Sequence, residues 1–318
     1  MDKKLIIEKT HNQKYKLNPK NKIYKKDLYR FGILSIHQDI APHKKDITTQ
    51  LIFNSKNIQT KALIFAKQKG IISGLNEITW IINEYSSIFH TKISLQTFIK
   101  DGEKVEKQNK ILLLEGPINH LLILERTILN ILQRMSGIST KTTEIIAKVN
   151  KINPEILITT TRKTPYGLLD KKAAQVGGAG THRLNLSDAV LIKDTHLDFF
   201  DRNISEVLNK ILKSTNFGKF VEIEVQNEEE ARVAAQTFNE NKYTGTVLLD
   251  NFSSEKINNC VNQLKKQNLF EKIILEASGG ITEDNIEEYA KNEIDIISLG
   301  SLTHSAQALD LAMTIEKK

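Results

Sequence analysis

Thr161, Arg162 and Lys163 stand together at the end of an apolar, β-branched run, and His182, Arg183 and Lys193 follow after a Gly-rich turn. Further along, Glu224, Asp250, Ser278-Gly279-Gly280 and Ser298-Leu299-Gly300 lie at or near the ends of other apolar runs. These residue types divide into three chemical demands. Arg, Lys and His ask for carboxylates or a diphosphate, for which Arg offers a bidentate fork. Glu224 and Asp250 are hard oxygen donors suited to a cation such as Mg²⁺, which keeps waters and substrate phosphates around it. The two Gly-containing turns follow a strand and precede a helix, where backbone N–H groups can cradle a phosphate. A phosphorylated sugar carrying a diphosphate, together with a carboxylate acceptor, would meet all three. Taken singly, each has a plainer explanation. Arg162 or Lys163 could be solvated loop cations, His182 a turn residue, and the Gly turns ordinary turns. Glu222 and Glu224 share one strand face, which either faces water or turns inward against a basic partner.

Convergence is what would make a site of them, and the elements supply it. From about residue 150, short apolar runs (EILITTT, AVLIKD, FVEIEV, TVLLDNF, IILEAS, IDIISLG) alternate with helical patterns such as ISEVLNKILK, EEEARVAAQTF, EKINNCVNQLKK and EDNIEEYAKN. That alternation predicts an α/β fold with a parallel sheet and outer helices. Six units suggest closure into a β/α barrel, with an open doubly wound sheet as the competitor. In a barrel the C-terminal strand ends meet at one mouth. The preceding region reads differently. QTKALIFAKQKGIISG predicts two strands about a turn at Lys69-Gly70, and LNEITWIINEYSSIF an amphipathic helix with Ile78, Ile81, Ile82 and Tyr85 on one face. DGEKVEKQNKILLLEGP predicts a turn and a strand. A strong helix follows over residues 118–135, with Leu121, Leu124, Ile128, Ile131, Leu132 and Met135 as its stripe and Arg126 off it.

A chain of 318 residues, 40% hydrophobic, can bury a large core. Its net charge of +7 lies wholly in residues 1–30, where ten Lys/Arg stand against three acids. The expectation is a basic N-terminal extension, solvated and mobile in part. Nucleic-acid binding by this tail is the alternative of a different class, but aromatic interleaving is limited to Tyr15, Tyr24 and Tyr29. No apolar run approaches a membrane span, and the first residues lack a signal-peptide core. The one cysteine, Cys260, fits a reducing compartment, so a cytoplasmic location is expected.

The blocks ERTILNILQRMSGIST, TRKTPYGLLDKKA, GGAGTHRLNLSDAVLIKDTH, VEIEV, LLDNF, EASGGI and ISLGSLTHSAQALDLAM, in this order, resemble the quinolinate phosphoribosyltransferase family, also called carboxylating nicotinate-nucleotide pyrophosphorylase. The resemblance implies the conversion of quinolinate and phosphoribosyl pyrophosphate to nicotinate mononucleotide, pyrophosphate and CO₂, in NAD biosynthesis, with Mg²⁺. It implies an incomplete β/α barrel over 138–301 and an N-terminal open-faced α/β sandwich over 31–137, completed by residues 302–318. Residues 1–30 fall outside it. It also implies a homodimer or higher homo-oligomer with shared sites, Arg126 reaching the neighbour. Arg126, Arg162, His182 and Arg183 would then hold the quinolinate carboxylates. Lys163 and Lys193, beside Thr161, would lie by the diphosphate and the reacting centre. Glu224 and Asp250 would hold Mg²⁺ and the ribose hydroxyls, and Ser278, Gly279, Gly280, Ser298, Leu299 and Gly300 the 5′-phosphate. Three departures touch loops: TRKTPYG for the usual TRKTTPG, Ala179 for the third glycine of a GGG turn, and Lys45-Asp46-Ile47-Thr48 for GDIT. A related pyrophosphorylase-like protein associated with molybdenum transport, and a nicotinate-using transferase, are the competing readings within the fold.

Overall fold

Alternating apolar residues in QTKALIFA and the continuous run in KILLLEGP need partners on both edges, and they find each other. The computed structural model describes residues 3–42, 45–53, 58–214 and 219–316. Strands β1 (Gln59–Ala66), β2 (Gly70–Ile71), β3 (Ser94–Thr97), β4 (Lys104–Val105) and β5 (Lys110–Pro117) come first. The barrel strands follow: β6 (Leu157–Thr160), β7 (Val190–Ile192), β8 (Val221–Val225), β9 (Thr246–Asp250), β10 (Ile274–Ser278) and β11 (Ile296–Leu299). Strand β12 (Leu311–Ile315) closes the series. The chain falls into two units. One comprises Met1–Gln13, Glu144–Lys163 and Ala179–Ser301; the other comprises Lys14–Thr143, Thr164–Gly178 and Leu302–Lys318.

In the second unit an antiparallel sheet runs β12-β1-β5-β3. The expected pairing of β1 with β2 about Lys69-Gly70 does not form. Both edges of β1 are taken by β5 and β12, and β2 pairs with β4 instead. The helix Leu75–Ile88 buries Ile78, Ile81, Ile82 and Tyr85, the face that the spacing predicts. The helix beginning at Ile118 runs on to Asn150, past the expected end at residue 135. Its stripe continues through the buried Ile138, Ile145 and Val149. The Ser/Thr/Gly cluster over 136–143 is accommodated within the helix. Thr140 Oγ1 donates to the Ser136 carbonyl (2.7 Å), Ser139 Oγ donates to the Ala173 carbonyl (2.7 Å), and a side chain on Gly137 would strike the Gln307 carbonyl at 1.9 Å.

The first unit holds six parallel strands in the order β6-β11-β10-β9-β8-β7. The last strand in sequence lies beside the first, so the sheet curls into a barrel, and it stays open between β6 and β7. There a single parallel bridge, Thr159 to Gly180, lies on the free edge of β6. Helices Ile204–Leu212, Glu228–Glu240 and Ser254–Lys266 start at Asn203, Asn227 and Ser253, whose side chains accept backbone N–H groups of the first turn. Three glutamates, Glu228 to Glu230, add favourable charge at one of these N-termini.

The basic N-terminal segment is not a solvated tail. Residues Lys3–His11 form a helix belonging to the barrel unit, and Ile6 packs on Ile274 and Ile296, with Ile7, Leu157 and Phe220 around them. These residues begin β6, β10 and β11 or precede β8, so the helix covers the N-terminal end of the barrel. Leu17, Tyr24 and Leu28 are fully buried in the other unit, where the Tyr24 hydroxyl donates to Glu77 (2.7 Å). Charge counting misread this segment, because its lysines lie among apolar residues that seek cover. Among the described residues no helix is long and apolar enough to cross a membrane.

Candidate active site

Six strand ends bring most of the expected residues to one barrel. Thr161, Arg162 and Lys163 follow β6, Lys193 follows β7, Glu224 lies near the end of β8, and Asp250 ends β9. Ser278 ends β10 and is followed by Gly279-Gly280; Ser298 and Leu299 end β11, with Gly300 next. His182 and Arg183 follow the Gly180 bridge. Lys193 Nζ donates to both Glu224 oxygens (3.0 and 3.3 Å). Glu224 is nonetheless raised above the ordinary carboxylate range. Burial is the main cause, Asp250 and Glu222 add to it, and Lys193 only partly offsets them. Arg183 is buried and held below the ordinary guanidinium range, first by burial and then by Arg162. Its Nε has no hydrogen-bond partner. A buried cation beside another cation, with a donor unused, favours an anion there.

The glycine turn after β10 is sterically required. Gly279 has φ +85°, and a side chain on it would meet Asn251 Oδ1 at 2.5 Å. Asn251, itself at φ 56°, donates its backbone N–H to the Ser278 carbonyl (2.8 Å). A loop over 281–285 separates this turn from the helix Ile286–Ala290, so it does not open directly into a helix as the spacing suggested. The departures from the family pattern are explained locally. Ala179 has no left-handed φ, whereas Gly178 does at 103°, so alanine is tolerated. Tyr166 of TRKTPYG stacks on Phe31 (4.7 Å) under the Arg134 guanidinium (4.7 Å). Asp46 accepts the Thr49 backbone N–H and caps the helix Ile47–Phe53.

Below the mouth lies a second layer that the sequence did not announce. Glu222 and Glu276 point inward from β8 and β10 and are almost wholly buried, as are His11 and His182. His182 Nδ1 accepts the Arg183 backbone N–H (2.8 Å), so Nε2 carries the ring proton, facing Glu222 Oε1 (3.2 Å) and Glu276 Oε1 (3.5 Å). Burial pushes His182 down, but Glu222 and then Glu276 outweigh it and push it up. Thr10 Oγ1 gives its proton to the Ile6 carbonyl (2.8 Å) and accepts from His11 Nδ1 (2.7 Å). His11 Nε2 then meets Glu276 Oε2 at 3.6 Å. Burial alone would raise Glu276, yet the His182 and His11 rings hold it well below the carboxylate range. The four ligand atoms lie within 4.8 Å of one another. A metal on His182 Nε2 would need the proton on Nδ1, where the Arg183 N–H already points. The hydrogen-bond directions therefore make this a hydrogen-bonded network around two buried carboxylates and not a metal site.

Glu222 is thus the inward acid with a basic partner, and the solvated reading fails. Glu276 had a readable signal, since it shares the strand face of Ser278 two residues on. His11 had none. Arg126 belongs to the other unit, exposed on the helix Ile118–Asn150 beside the equally exposed Asn130 one turn along. For a divalent cation, Glu224 and Asp250 on adjacent strands are the fitting donors. Both are carboxylates, and the charge of Asp250 raises Glu224, a repulsion that a cation would relieve.

Comparison with known proteins agrees with this arrangement. Residues 138–314 match the quinolinate phosphoribosyl transferase C-terminal domain, and residues 46–136 the N-terminal domain of the same name. The chain is 38% identical over 275 residues to a probable carboxylating nicotinate-nucleotide pyrophosphorylase of Methanocaldococcus jannaschii, covering 85% of this chain and 91% of that protein. It is 31% identical over 263 residues to the human nicotinate-nucleotide pyrophosphorylase [carboxylating], covering 81% and 83%. The solved structure of the Francisella tularensis nicotinate-nucleotide pyrophosphorylase superposes with a TM-score of 0.78 at 32% identity, over 92% of this chain and 96% of that one.

Proposed function

The chain belongs to the quinolinate phosphoribosyl transferase family, and from that membership we infer that it joins quinolinate to phosphoribosyl pyrophosphate, giving nicotinate mononucleotide, pyrophosphate and CO₂ for NAD biosynthesis. It is a decarboxylating phosphoribosyltransferase. The relatives support this reading and not the molybdenum-transport one. The observation that carries the residue assignment is the buried Arg183, with Nε unpaired and Arg162 beside it. A substrate carboxylate would meet the unpaired Arg183 Nε.

We assign the roles as follows. Arg162 and Arg183 hold the quinolinate carboxylates; His182, whose ring nitrogens are already engaged by the Arg183 N–H and by Glu222, lies beneath them and orients Arg183. The Ser278-Gly279-Gly280 turn, with Ser298, Leu299 and Gly300, takes the 5′-phosphate. Thr161, Lys163 and Lys193 flank the diphosphate. The bond from ribose C1 to the pyrophosphate oxygen breaks and its electron pair leaves with the diphosphate, on which Lys163 and Lys193 stabilise the growing charge. The pyridine nitrogen donates its lone pair to C1. The resulting pyridinium accepts the electron pair of the neighbouring C–CO₂ bond as CO₂ departs, and a proton takes its place on the ring. Glu224 and Asp250 would hold Mg²⁺, which supplies charge neutralisation of the diphosphate when bound. The protein's main task is to seat two anions that repel each other.

We further propose a homodimer with composite sites and a cytoplasmic location; the buried free thiol of Cys260 is compatible with the latter. Arg126 would serve the partner's site. Release of CO₂ with quinolinate, and none with nicotinate, tests the activity. Mixing tests the sharing. Arg126→Ala should weaken quinolinate binding by roughly 2–5 kcal/mol if the charge pair is desolvated. Subunits carrying Arg126→Ala and Arg162→Ala, each nearly inactive alone, should recover activity when exchanged, because one of the two composite sites is then intact. No recovery on free exchange means that Arg126 does not act across the interface.

A further inference from the structure

The Lys3–His11 helix lies outside both matched family domains, yet its last residue ends inside the barrel. Three contacts tie it to the segment that carries His182 and Arg183. The His11 carbonyl accepts the backbone N–H groups of Thr181 (2.6 Å) and His182 (3.0 Å). The Gln13 backbone N–H donates to Thr181 Oγ1 (2.9 Å). The His11 ring stands edge-on to that of His182, 5.1 Å between centroids at 88°, and both rings face Glu276. His182 needs this support, because it sits at φ 51°, a left-handed conformation that a histidine does not adopt without cost.

We propose that His11 is a positioning residue for His182 and Arg183, which makes the N-terminal helix of this chain part of its carboxylate-binding apparatus. The proposal rests on the assignment of Arg183 to the quinolinate carboxylates. The coupling runs through Glu276. Its two oxygens divide between the two rings, Oε2 to His11 and Oε1 to His182. Without the His11 ring, Glu276 keeps only His182 beside it and draws that ring away from Glu222. The Arg183 backbone N–H is bonded to the other side of the same ring, so Arg183 moves with it. His11 therefore fixes the ring without touching the substrate.

The test is steady-state kinetics of His11→Ala in the full chain, with KM measured for each substrate. The KM for quinolinate should rise by roughly 10-fold or more, the scale of a lost charged hydrogen bond, while that for phosphoribosyl pyrophosphate stays within about two-fold. KM does not depend on how much of the enzyme is folded, so lost stability cannot imitate this split. His11→Gln keeps an N–H donor toward Glu276 and should bring the quinolinate KM back to within about three-fold of the parent. An unchanged quinolinate KM in His11→Ala overturns the proposal and leaves the helix as a cover for the barrel end. If that variant does not fold, Thr10→Val removes the acceptor that orients the ring and should move the same KM in the same direction; no change there overturns the proposal equally. His182→Asn and Arg183→Lys test the carboxylate assignment separately. If neither raises the quinolinate KM, that assignment fails, and the ¹⁵N ring signals of His182 decide the rest. A changed tautomer pattern in His11→Ala upholds positioning, and an unchanged one overturns it.

Discussion

Two glutamates of one barrel meet opposite fates. Glu276, deep between β10 and its neighbours, is held well below the carboxylate range, because the His182 and His11 rings outweigh its burial. Glu224, at the mouth, is held above that range, because burial, Asp250 and Glu222 outweigh its lysine. The interior acid stabilises the fold when charged, and the mouth acid costs stability when charged. The barrel thus surrounds its interior acid with two imidazole rings and leaves repulsion between acids where substrate and cation arrive. Preorganised sites carry this kind of tension, which their ligands relieve.

The largest effect should come from breaking the interior network. Glu276→Gln replaces the buried carboxylate beside both rings with a neutral amide and should destabilise the fold by about 1–3 kcal/mol, the scale for a buried polar group left without its partner. Glu224→Gln, beside a half-exposed lysine, should change stability by no more than about 0.5 kcal/mol. Urea unfolding of both variants measures the contrast. Equal losses would show that burial depth, and not the ring partners, sets the difference.

The mouth was legible in the sequence and the interior was not, for a physical reason. Lys193, Asp250 and Ser278 stand where an apolar run stops, and a polar residue at a strand end is visible without any partner in view. The six alternating runs gave the parallel sheet in the same way, since each local period survives without tertiary information. Glu276 sits within its run, and only strand alternation hints that it turns inward. His11 is invisible, because its role depends on partners 171 and 265 positions away in the chain (His182 and Glu276). The same limit misled the reading of residues 1–30 as a tail. Net charge is a sum, and it hides Ile6, Tyr24 and Leu28, which the fold buries. The turn expected at Lys69-Gly70 failed similarly, because β1 finds its partners 44 or more positions further on.

Acid titration sharpens the comparison through its sign. The folded value of Glu276 lies below the unfolded value of about 4.3, so its contribution is present above about pH 4.3 and is lost as pH falls through the folded value. The stability gap between the parent and Glu276→Gln should close below about pH 4. Glu224 runs the other way. Its folded value is raised, so the cost of its charge is relieved as pH falls toward that value. The gap between the parent and Glu224→Gln should narrow before the pH reaches the unfolded value of about 4.3. A common pH dependence for both variants would undo the distinction between the two acids.

The smallest effect tests what the tension at the mouth is for. Asp250 is partly exposed and lies outside the His network; its side chain accepts from Asn251 Nδ2 (3.0 Å) and its charge raises Glu224. Removing that charge in Asp250→Asn should leave the protein slightly more stable, by about 0.5 kcal/mol once solvent screening is allowed for. In a unit of this size that is a rise in Tm of roughly 1–2 °C. Mg²⁺ should do the same to the parent, since any ligand of the folded state adds stability in proportion to the logarithm of its saturation. The variant should respond less to Mg²⁺ and should use phosphoribosyl pyrophosphate poorly. Thermal melts of the parent and Asp250→Asn, each with and without Mg²⁺, separate the possibilities. A variant that melts lower than the parent, yet gains as much from Mg²⁺, would place the cation elsewhere and give the repulsion at Glu224 another cause.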